Sequence, residues 1–209
     1  MTRPARRLSI FPLGGAILFP RMHLPLHIFE PRYRALVSDA MARDQRIGMM
    51  QPRSAGEPPS LFAVGCIGRI SDIEALEDGR FNIVLEGEAR FRLLRELDVT
   101  TAFRQVEATV MSDEDDDPGI LSSPERAALE SESRKFAEKL GYGVDWDAVG
   151  RLDDETFVNA IAQVAPFDIA SKQALLEAGK LGDRSEMLIQ LMQFHRRGDS
   201  PGTGFSSVQ

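Results

Sequence analysis

The chain has 209 residues, of which 43% are hydrophobic, and its formal net charge at pH 7 is −7. This length is sufficient for one sizeable core or two small ones, and the composition is ordinary for a globular protein. No apolar run approaches the roughly 20 residues that a membrane span needs, and the amino-terminal end lacks the apolar core of a secretory signal. The single cysteine, Cys66, cannot form an internal disulfide. Together these features predict a cytoplasmic protein with no membrane association.

The charge is divided unevenly along the chain. Residues 1–110 contain 15 Arg and no Lys against 13 acidic residues, whereas residues 111–209 contain 10 basic and 19 acidic residues. Neither part has the basic excess of an electrostatic nucleic-acid binder. The sequence therefore argues against phosphate recognition.

A strand is predicted at residues 23–28 from the alternation of apolar with other residues. The apolar positions are Leu24, Leu26 and Ile28, and a period of two is typical of a half-buried strand. Pro20 and Pro25 cannot donate hydrogen bonds to a sheet, so we expect this strand to be an edge, to be bulged, or to break near Pro25.

A helix is predicted to begin directly after this strand. Glu30 precedes Pro31, and proline suits the first helical position, where its missing N–H needs no partner. The following apolar residues fall at i, i+3, i+4, i+7 and i+8, which is the stripe of an amphipathic helix: Tyr33, Leu36, Val37, Ala40 and Met41.

Further strands are predicted at short spacing downstream. The segments are 46–51, 62–71, 80–86, 89–97 and 103–111. Asp78-Gly79 is predicted to form a two-residue hairpin turn, and Gly87 the next turn, because glycine accepts positive φ. The pattern predicts an antiparallel, partly closed β-barrel with one inserted helix.

An acidic linker is predicted between this β domain, residues 8–111, and a helical bundle, residues 125–197. Residues 112–124 contain five successive acids, which repel one another and resist packing. The alternative, a calcium loop, is disfavoured because Pro118 and Pro124 occupy positions where such a loop needs glycine and glutamate. Residues 1–7 and 198–209 are predicted to be flexible tails.

The bundle is predicted to contain four helices with recognisable starts. Ser123 is the expected cap of the first helix, and Gly141 its end. Asp153 and Asp168 are the expected caps of the second and third, with Phe157, Ile161 and Val164 of the second facing inward. Asp183 with Glu186 is a capping-box-like start for the fourth.

One long pattern resembles a known family. The stretch F-P-L-x-x-x-I-L-F-P-x-x-x-L-P-L-x-I-F-E-P-R-Y, residues 11–33, is similar to the amino-terminal, substrate-binding domain of Lon proteases, and especially to short bacterial proteins that carry this domain alone. Segments 78–80, 86–91 and 172–177 extend the resemblance to residues 8–197. It implies an α+β fold: a PUA-like antiparallel β-barrel followed by a small all-α bundle. It also implies recognition of proteins or peptides.

Two groups of residues are candidates for particular roles. Unfolded or extended peptide is expected to dock along Phe19, Pro20, Arg21, Met22 and His23, because a stiff apolar loop loses little entropy on binding; the competing interpretation is that Phe19 belongs to the core. If this loop does not bind peptide, the site is expected on the helical half, where Phe136 or Phe194 could line a groove. Glu30, Arg32 and Arg90 are expected to form a buried ion pair that ties the helix to the sheet.

Catalysis, metal binding and a cofactor are not predicted. The sequence contains no phosphate-binding G-x-x-x-x-G-K-[ST] motif, and its four lysines, all after residue 134, are not beside a serine motif like the Lon peptidase site. His23 and His27 would lie about 13 Å apart on a strand, too far to share one ion unless Pro25 folds the strand back.

The sequence therefore predicts a non-catalytic recognition module that binds unfolded or extended protein segments. Such a module could serve as an adaptor for, or a modulator of, a separate protease or chaperone machine in proteolysis or protein quality control. The alternative is an RNA-binding PUA-like module, which fold analogy permits and the charge balance disfavours.

Overall fold

The computed structural model describes residues 5–54, 56, 58–111 and 119–198. Within these residues the chain forms six strands and six helices. The strands are β1 (Arg6–Pro12), β2 (His23–Ile28), β3 (Arg46–Met50), β4 (Val64–Ala75), β5 (Phe81–Glu96) and β6 (Gln105–Val110). The helices are α1 (Pro31–Met41), α2 (Ser123–Leu140), α3 (Trp146–Val149), α4 (Asp154–Val164), α5 (Ile169–Glu177) and α6 (Leu181–Gly198).

The strands form one mixed sheet in the order β2-β5-β4-β3-β1-β6, and β5 also pairs with β6. Pairing therefore runs in a ring from β5 through β4, β3, β1 and β6 back to β5. The prediction of a wholly antiparallel sheet is wrong at one place, because β1 runs parallel to β3. A parallel pair requires a long crossover connection, and here that connection contains β2 and α1.

Strand β5 is one continuous element of 16 residues, so the prediction of a turn at Gly87 is wrong. Glycine is required there for a different reason. The Gly87 N–H donates to the carbonyl of Met22, and its carbonyl accepts from the N–H of Arg21, both at 2.8 Å. A Cβ at position 87 would lie 2.0 Å from the carbonyl oxygen of Phe19. Gly87 thus admits the backbone of the loop before β2.

Strand β2 pairs with β5 from His23 to Ile28 and stands at the end of the strand order among the described strands. The predicted edge position is therefore confirmed. Pro25 is opposite Val84, and an edge strand tolerates a proline because one side of it needs no donor.

Helix α1 begins at Pro31 with Glu30 at its amino-terminal cap position, as predicted. Its buried face is formed by Tyr33, Leu36, Val37 and Ala40. The Tyr33 hydroxyl donates to the carbonyl of Pro12 at 3.3 Å, and burial raises the pKa of this phenol. The predicted apolar stripe is confirmed at these four positions.

Two predicted boundaries are wrong by short distances. Arg6 and Arg7, assigned to the amino-terminal tail, are the first residues of β1 and pair with Ala108 and Glu107. Ser123 and Pro124, assigned to the linker, are the first residues of α2. Residues 112–118 of the predicted linker and residues 199–209 of the predicted tail lie outside the described residues.

The helix caps follow the sequence closely at α2, α4 and α5. The α2 cap is Ser122, one residue before the predicted Ser123, and it forms a full capping box with Glu125. Asp153 and Asp168 accept backbone N–H bonds from Thr156 and Ser171, as predicted. These bonds stabilise the ionised carboxylates and lower the pKa of each.

Three features of the helical part differ from the prediction. Helix α6 begins at Leu181, two residues before the expected start at Asp183. The short helix α3, capped by Asp145, was not predicted. Val164, expected to face the core, is 73% exposed.

The helical part packs against the sheet through one continuous core. A single cluster of buried side chains includes Leu85 of β5 and Leu175 of α5. Polar side chains add specific bonds across this contact: Gln173 donates to the carbonyl of Val64 at 3.0 Å. The Lys172 ammonium donates to the carbonyls of Gly15 and Gln163, and burial lowers its pKa.

Candidate functional site

Residues 19–23, the segment predicted to bind peptide, mostly contact other parts of the protein. Phe19 is 0% exposed and Pro20 is buried, so neither side chain reaches a client in this conformation. The guanidinium of Arg184, on α6, lies 5.2 Å from the centre of the Phe19 ring. The competing interpretation of Phe19 as a core residue is therefore the correct one.

The exposed residues of this segment bind the helical part. Arg21, which has a φ of 63°, forms an ion pair with Glu155 at the start of α4. The carbonyl of His23 accepts a hydrogen bond of 2.7 Å from the Gln163 side chain, at the other end of α4. Met22 is partly buried against the core. The segment thus connects the sheet to the helical part.

The predicted buried ion pair of Glu30, Arg32 and Arg90 is wrong in its burial. Glu30 and Arg32 do pair, at 2.8 Å, but their side chains are 39% and 50% exposed. Arg90 is fully buried and donates to the carbonyl of Leu176 at 3.1 Å. Arg90 therefore connects the sheet to α5, while the Glu30–Arg32 pair remains at the surface beside α1.

His27 takes part in a surface network of hydrogen bonds. Its Nδ1 lies 2.7 Å from Asn82 Oδ1, and its Nε2 lies 3.1 Å from a guanidinium nitrogen of Arg80. In the described parts of the chain, no three His, Cys, Asp or Glu side chains form a group that could hold a metal ion.

The helical part contains an apolar groove, which we define by the residues that line it. Its volume is about 180 Å³. Helices α2, α4 and α6 form its base, and the segment from Tyr142 to Leu152 forms one wall. The lining residues are Ser133, Phe136, Ala137, Tyr142, Val144, Trp146, Val149, Leu152, Phe157, Ala160, Ile161, Val164, Ala165 and Met192.

The chemistry of the groove is almost entirely apolar. Ser133 lines it, but the Ser133 hydroxyl donates to the carbonyl of Leu129 at 2.7 Å within α2. Trp146 is held by Arg134, whose guanidinium carbon lies 4.4 Å from the centre of the indole. Tyr142, Val144 and Val164 are exposed at the rim. An uncharged group can therefore be buried in the groove without breaking a hydrogen bond of the protein.

The wall next to α2 is built on glycines. Gly141 ends α2 in the left-handed conformation, with φ of 71° and ψ of 24°, which glycine adopts without steric cost. A Cβ at Gly143 would meet no atom within 4 Å. The segment 141–144 is therefore exposed and loosely packed at Gly143.

The sequence predicted a groove on the helical half, lined by Phe136 or Phe194, only as the alternative site, and Phe136 does line the groove. The residues of the wall from Tyr142 to Leu152 were not predicted, although a signal for them was present. Tyr142, Val144 and Trp146 are three large apolar residues in a connection rich in glycine and aspartate. No predicted core face accounted for them, and large apolar residues at a surface often mark a binding site. Phe194 is equally apolar and 73% exposed, but it is not among the residues that line the groove.

Comparison with solved structures identifies the fold. A Lon N-terminal domain protein from Xanthomonas campestris matches with a TM-score of 0.66 and 21% identity, over 88% of this chain and 98% of that one. The N-terminal domain of Mycobacterium avium complex Lon protease matches with a TM-score of 0.65 and 18% identity, over 91% and 100% of the two chains. The chain is thus an α+β protein with the fold of Lon amino-terminal domains.

Sequence comparison identifies the family. The model of the ATP-dependent protease La (LON) substrate-binding domain matches residues 7–193, and the chain belongs to this family. Relatives include Lon protease of Cytophaga hutchinsonii, 27% identical over 88% of this chain, and Lon protease 3 of Sorangium cellulosum, 28% identical over 89%. The chain spans about a quarter of the length of these relatives.

The family match corresponds to a domain of substrate recognition, in agreement with the resemblance in the sequence. The described helices include none that is both long and apolar enough to cross a bilayer.

Proposed function

We propose that the protein is a non-catalytic module that recognises segments of other proteins, with the apolar groove as its docking site. The groove carries this proposal, because an apolar concavity at the surface is where burial of a client side chain yields binding free energy. The family is one of substrate-binding domains, which supports a polypeptide as the ligand.

The architecture supports the finer structural proposal of a PUA-like barrel. The ring of strand pairing from β5 back to β5 is the pairing expected of a closed barrel, and β2 extends from β5 outside the ring. The contacts of residues 19–23 hold the helical part against the barrel. The groove therefore has a fixed position relative to the barrel.

The cellular role that follows is that of an adaptor or modulator of proteolysis or protein quality control. A module that binds client segments could deliver them to a separate protease or chaperone machine. A cytoplasmic location remains a prediction from the single cysteine, Cys66, which is buried.

The RNA-binding alternative has no comparable support. Several arginines on the strands pair with carboxylates on other strands of the sheet instead of forming a basic surface. These pairs are Arg46–Glu88, Arg69–Glu86 and Arg95–Glu107. Neutralised arginines supply little of the counterion release on which phosphate binding depends.

Binding of an unfolded reporter tests the proposal. A reduced, alkylated and fluorescently labelled model protein that cannot refold is titrated with the wild-type chain, and its anisotropy is measured. We expect saturable binding that Val164→Lys weakens at least about fivefold, because a charge at the apolar rim must lose its hydration on binding. Lysine near the carboxyl end of α4 is also favourable for the helix dipole, so the fold should persist.

The matched control is Phe194→Lys. Phe194 and Val164 are both 73% exposed, and both lie near the carboxyl ends of their helices, but only Val164 lines the groove. Equal weakening by the two substitutions would remove the groove from the proposal. Absence of binding by the wild-type chain would contradict the proposed function itself.

A further inference from the structure

We infer that Phe205, which follows α6 in the sequence, occupies the apolar groove while no client is bound, so that the protein competes with its own clients. This competition rests on the proposed function, because it assigns Phe205 and the client to the same site. The support comes from the position of the carboxyl end of α6, the reach of the chain beyond that end and the chemistry of residues 199–209.

The carboxyl end of α6 lies beside the groove. The Lys139 ammonium, in the last turn of α2, donates to the carbonyls of His195 and Arg196 at 3.2 and 2.8 Å. The centre of the His195 ring lies 6.2 Å from that of Phe136, which lines the groove. The wall of the groove begins three positions after Lys139, at Tyr142. The last turn of α6 is therefore in contact with both the base and the wall side of the groove.

The chain beyond α6 is long enough to return to the groove. Met192 lines the groove, and the end of α6 at Gly198 is about 9 Å further along the helix axis. The seven residues from Gly198 to Phe205 span up to about 25 Å when extended. The return also requires the chain to reverse its direction, and Pro201-Gly202 is a dipeptide typical of turns. The groove is therefore within reach of Phe205.

A single phenylalanine side chain matches the groove in size and chemistry. An apolar cavity of about 150 Å³ is large enough to bind benzene, and the groove has a volume of about 180 Å³. Phe205 is the only Phe, Tyr or Trp after Phe194 in the sequence, and its neighbours Gly204 and Ser206 are small. Small neighbours allow the backbone to approach the rim while the ring is buried.

The surroundings of the groove favour an uncharged segment. Exposed residues of both signs are adjacent in sequence to residues that line it, and they include Arg134 and Arg151 as well as Glu138 and Asp147. Mixed charges give no net preference for a ligand of either sign, whereas a charged ligand residue loses hydration beside an apolar lining. Residues 200–209 contain no charged side chain, so their approach carries no such cost.

The contact should be weak enough for a client to displace it. One buried side chain of this size gives a dissociation constant in the millimolar range, and a short link gives an effective concentration of the same order. Phe205 should therefore occupy the groove in about half of the molecules or more. The apparent affinity for a client is then lowered about two- to fivefold.

The substitution Phe205→Ser in the 209-residue chain tests the inference, and Val208→Ser is its control because it removes an apolar side chain from the same segment. Phe205→Ser should bind the unfolded reporter about two- to fivefold more tightly than the wild-type chain does, whereas Val208→Ser should bind it with unchanged affinity. Equal binding of the reporter by the wild-type chain and Phe205→Ser would overturn the inference while the proposed function stands.

Trp146 provides a second readout that needs no client. It is the only tryptophan in the sequence, it lines the groove, and an occupant that removes water from the indole shifts its emission to shorter wavelength. Phe205→Ser should therefore shift the emission to longer wavelength. The capped peptide GTGFSSV, which has the sequence of residues 202–208, should reverse this shift saturably at millimolar concentration, and GTGSSSV should not.

Ala160→Leu, which fills the groove from α4, tests whether the groove is the place of contact. In that background Phe205→Ser should leave the emission of Trp146 unchanged, and an undiminished shift would overturn the assignment of Phe205 to the groove. Equal effects of GTGFSSV and GTGSSSV would overturn it as well. If no form of the chain binds the unfolded reporter but the emission responds as expected, the proposed function fails while Phe205 is supported as the occupant.

Discussion

The guanidinium of Arg21 donates two hydrogen bonds to the carboxylate of Glu155. Nε lies 2.7 Å from Oε2, and Nη2 lies 2.5 Å from Oε1. The residues are 134 positions apart in sequence, and their pairing joins the loop before β2 to the first turn of α4. The Glu155 side chain is only 10% exposed, against 45% for Arg21. The pair therefore fixes the helical part, and with it the groove, relative to the sheet.

Arg21→Ala should destabilise the protein by about 1–3 kcal/mol, because it deprives a nearly buried carboxylate of its principal cation. Urea unfolding of Arg21→Ala, Glu155→Gln and the double variant measures the coupling. We expect the double variant to be destabilised by less than the sum of the two single changes. Strict additivity would show that the pair contributes no coupling energy.

Phe19→Ala should cost about 3–5 kcal/mol, as expected for truncation of a fully buried phenylalanine. Thermal and urea unfolding provide the measurement. The rim variant Val164→Lys, by contrast, should change stability by no more than about 0.5 kcal/mol. A small loss for Phe19→Ala would mean that the Phe19 ring spends much of its time outside the core.

Gly87→Ala should destabilise the protein by at least about 2 kcal/mol, because the added Cβ would lie 2.0 Å from the carbonyl oxygen of Phe19. The obstacle is backbone, so relief requires the loop to move and to lose its bonds at Arg21 and Met22. Gly143→Ala is the control: nothing obstructs its Cβ, and its φ is not positive. That substitution should stabilise by about 0.4–1 kcal/mol through the unfolded state. Similar losses for both would contradict the role of the close approach.

The free energy of unfolding should depend on pH through the aspartate caps of α4 and α5. Backbone N–H bonds from Thr156 and Ser171 lower the pKa values of Asp153 and Asp168 below the ordinary 3.8. A lowered folded-state pKa contributes stability that is present above the unfolded pKa and is lost as pH falls through the folded one. The contribution of these caps should therefore be complete above about pH 4 and decline below it.

Asparagine caps helices about as well as aspartate but does not titrate. The variant with Asp153→Asn and Asp168→Asn should thus unfold with a shallower dependence on pH below about 4. Urea midpoints measured between about pH 2.5 and pH 6 test this, with Asp147→Asn as a control at an exposed position of α3. An unchanged slope in the double variant would show that the caps do not titrate differently in the two states.

The fold was predictable where local chemistry acts alone. Helix α1 follows from Pro31 and its apolar stripe, the edge position of β2 from Pro25, and the starts of α4 and α5 from their aspartate caps. The predictions were wrong where a contact with a residue distant in sequence determines the local structure. Gly87 has the sequence of a turn, but the backbone of Phe19 and Arg21 occupies the space beside it. Arg90 is fully buried and donates to the carbonyl of Leu176 in α5, a contact across 86 positions that the local sequence does not show.

For the same reason the groove was predicted only as the alternative site, through Phe136. Periodicity identifies a face that must be covered, but it does not show which element covers it. Phe19 looked available because it lies between loop prolines, whereas the sheet and α6 enclose it. Tyr142 and Trp146 belong to no predicted helix or strand, and only the packing of α2, α4 and α6 brings them together around a concavity.

The last prediction concerns the junction between the two parts of the chain. The acidic residues at positions 113–117 favour cleavage there during limited proteolysis, since a charged segment offers accessible backbone. The two fragments should nevertheless remain associated. They share one core and are joined by the Arg21–Glu155 pair. Arg90 also donates to the carbonyl of Leu176, and Gln173 donates to the carbonyl of Val64.

Size-exclusion chromatography in native buffer should give one peak containing both fragments, which separate only in denaturant. Elution of two independent fragments would show that the parts are separable domains, and initial cleavage within β5 would contradict the predicted junction.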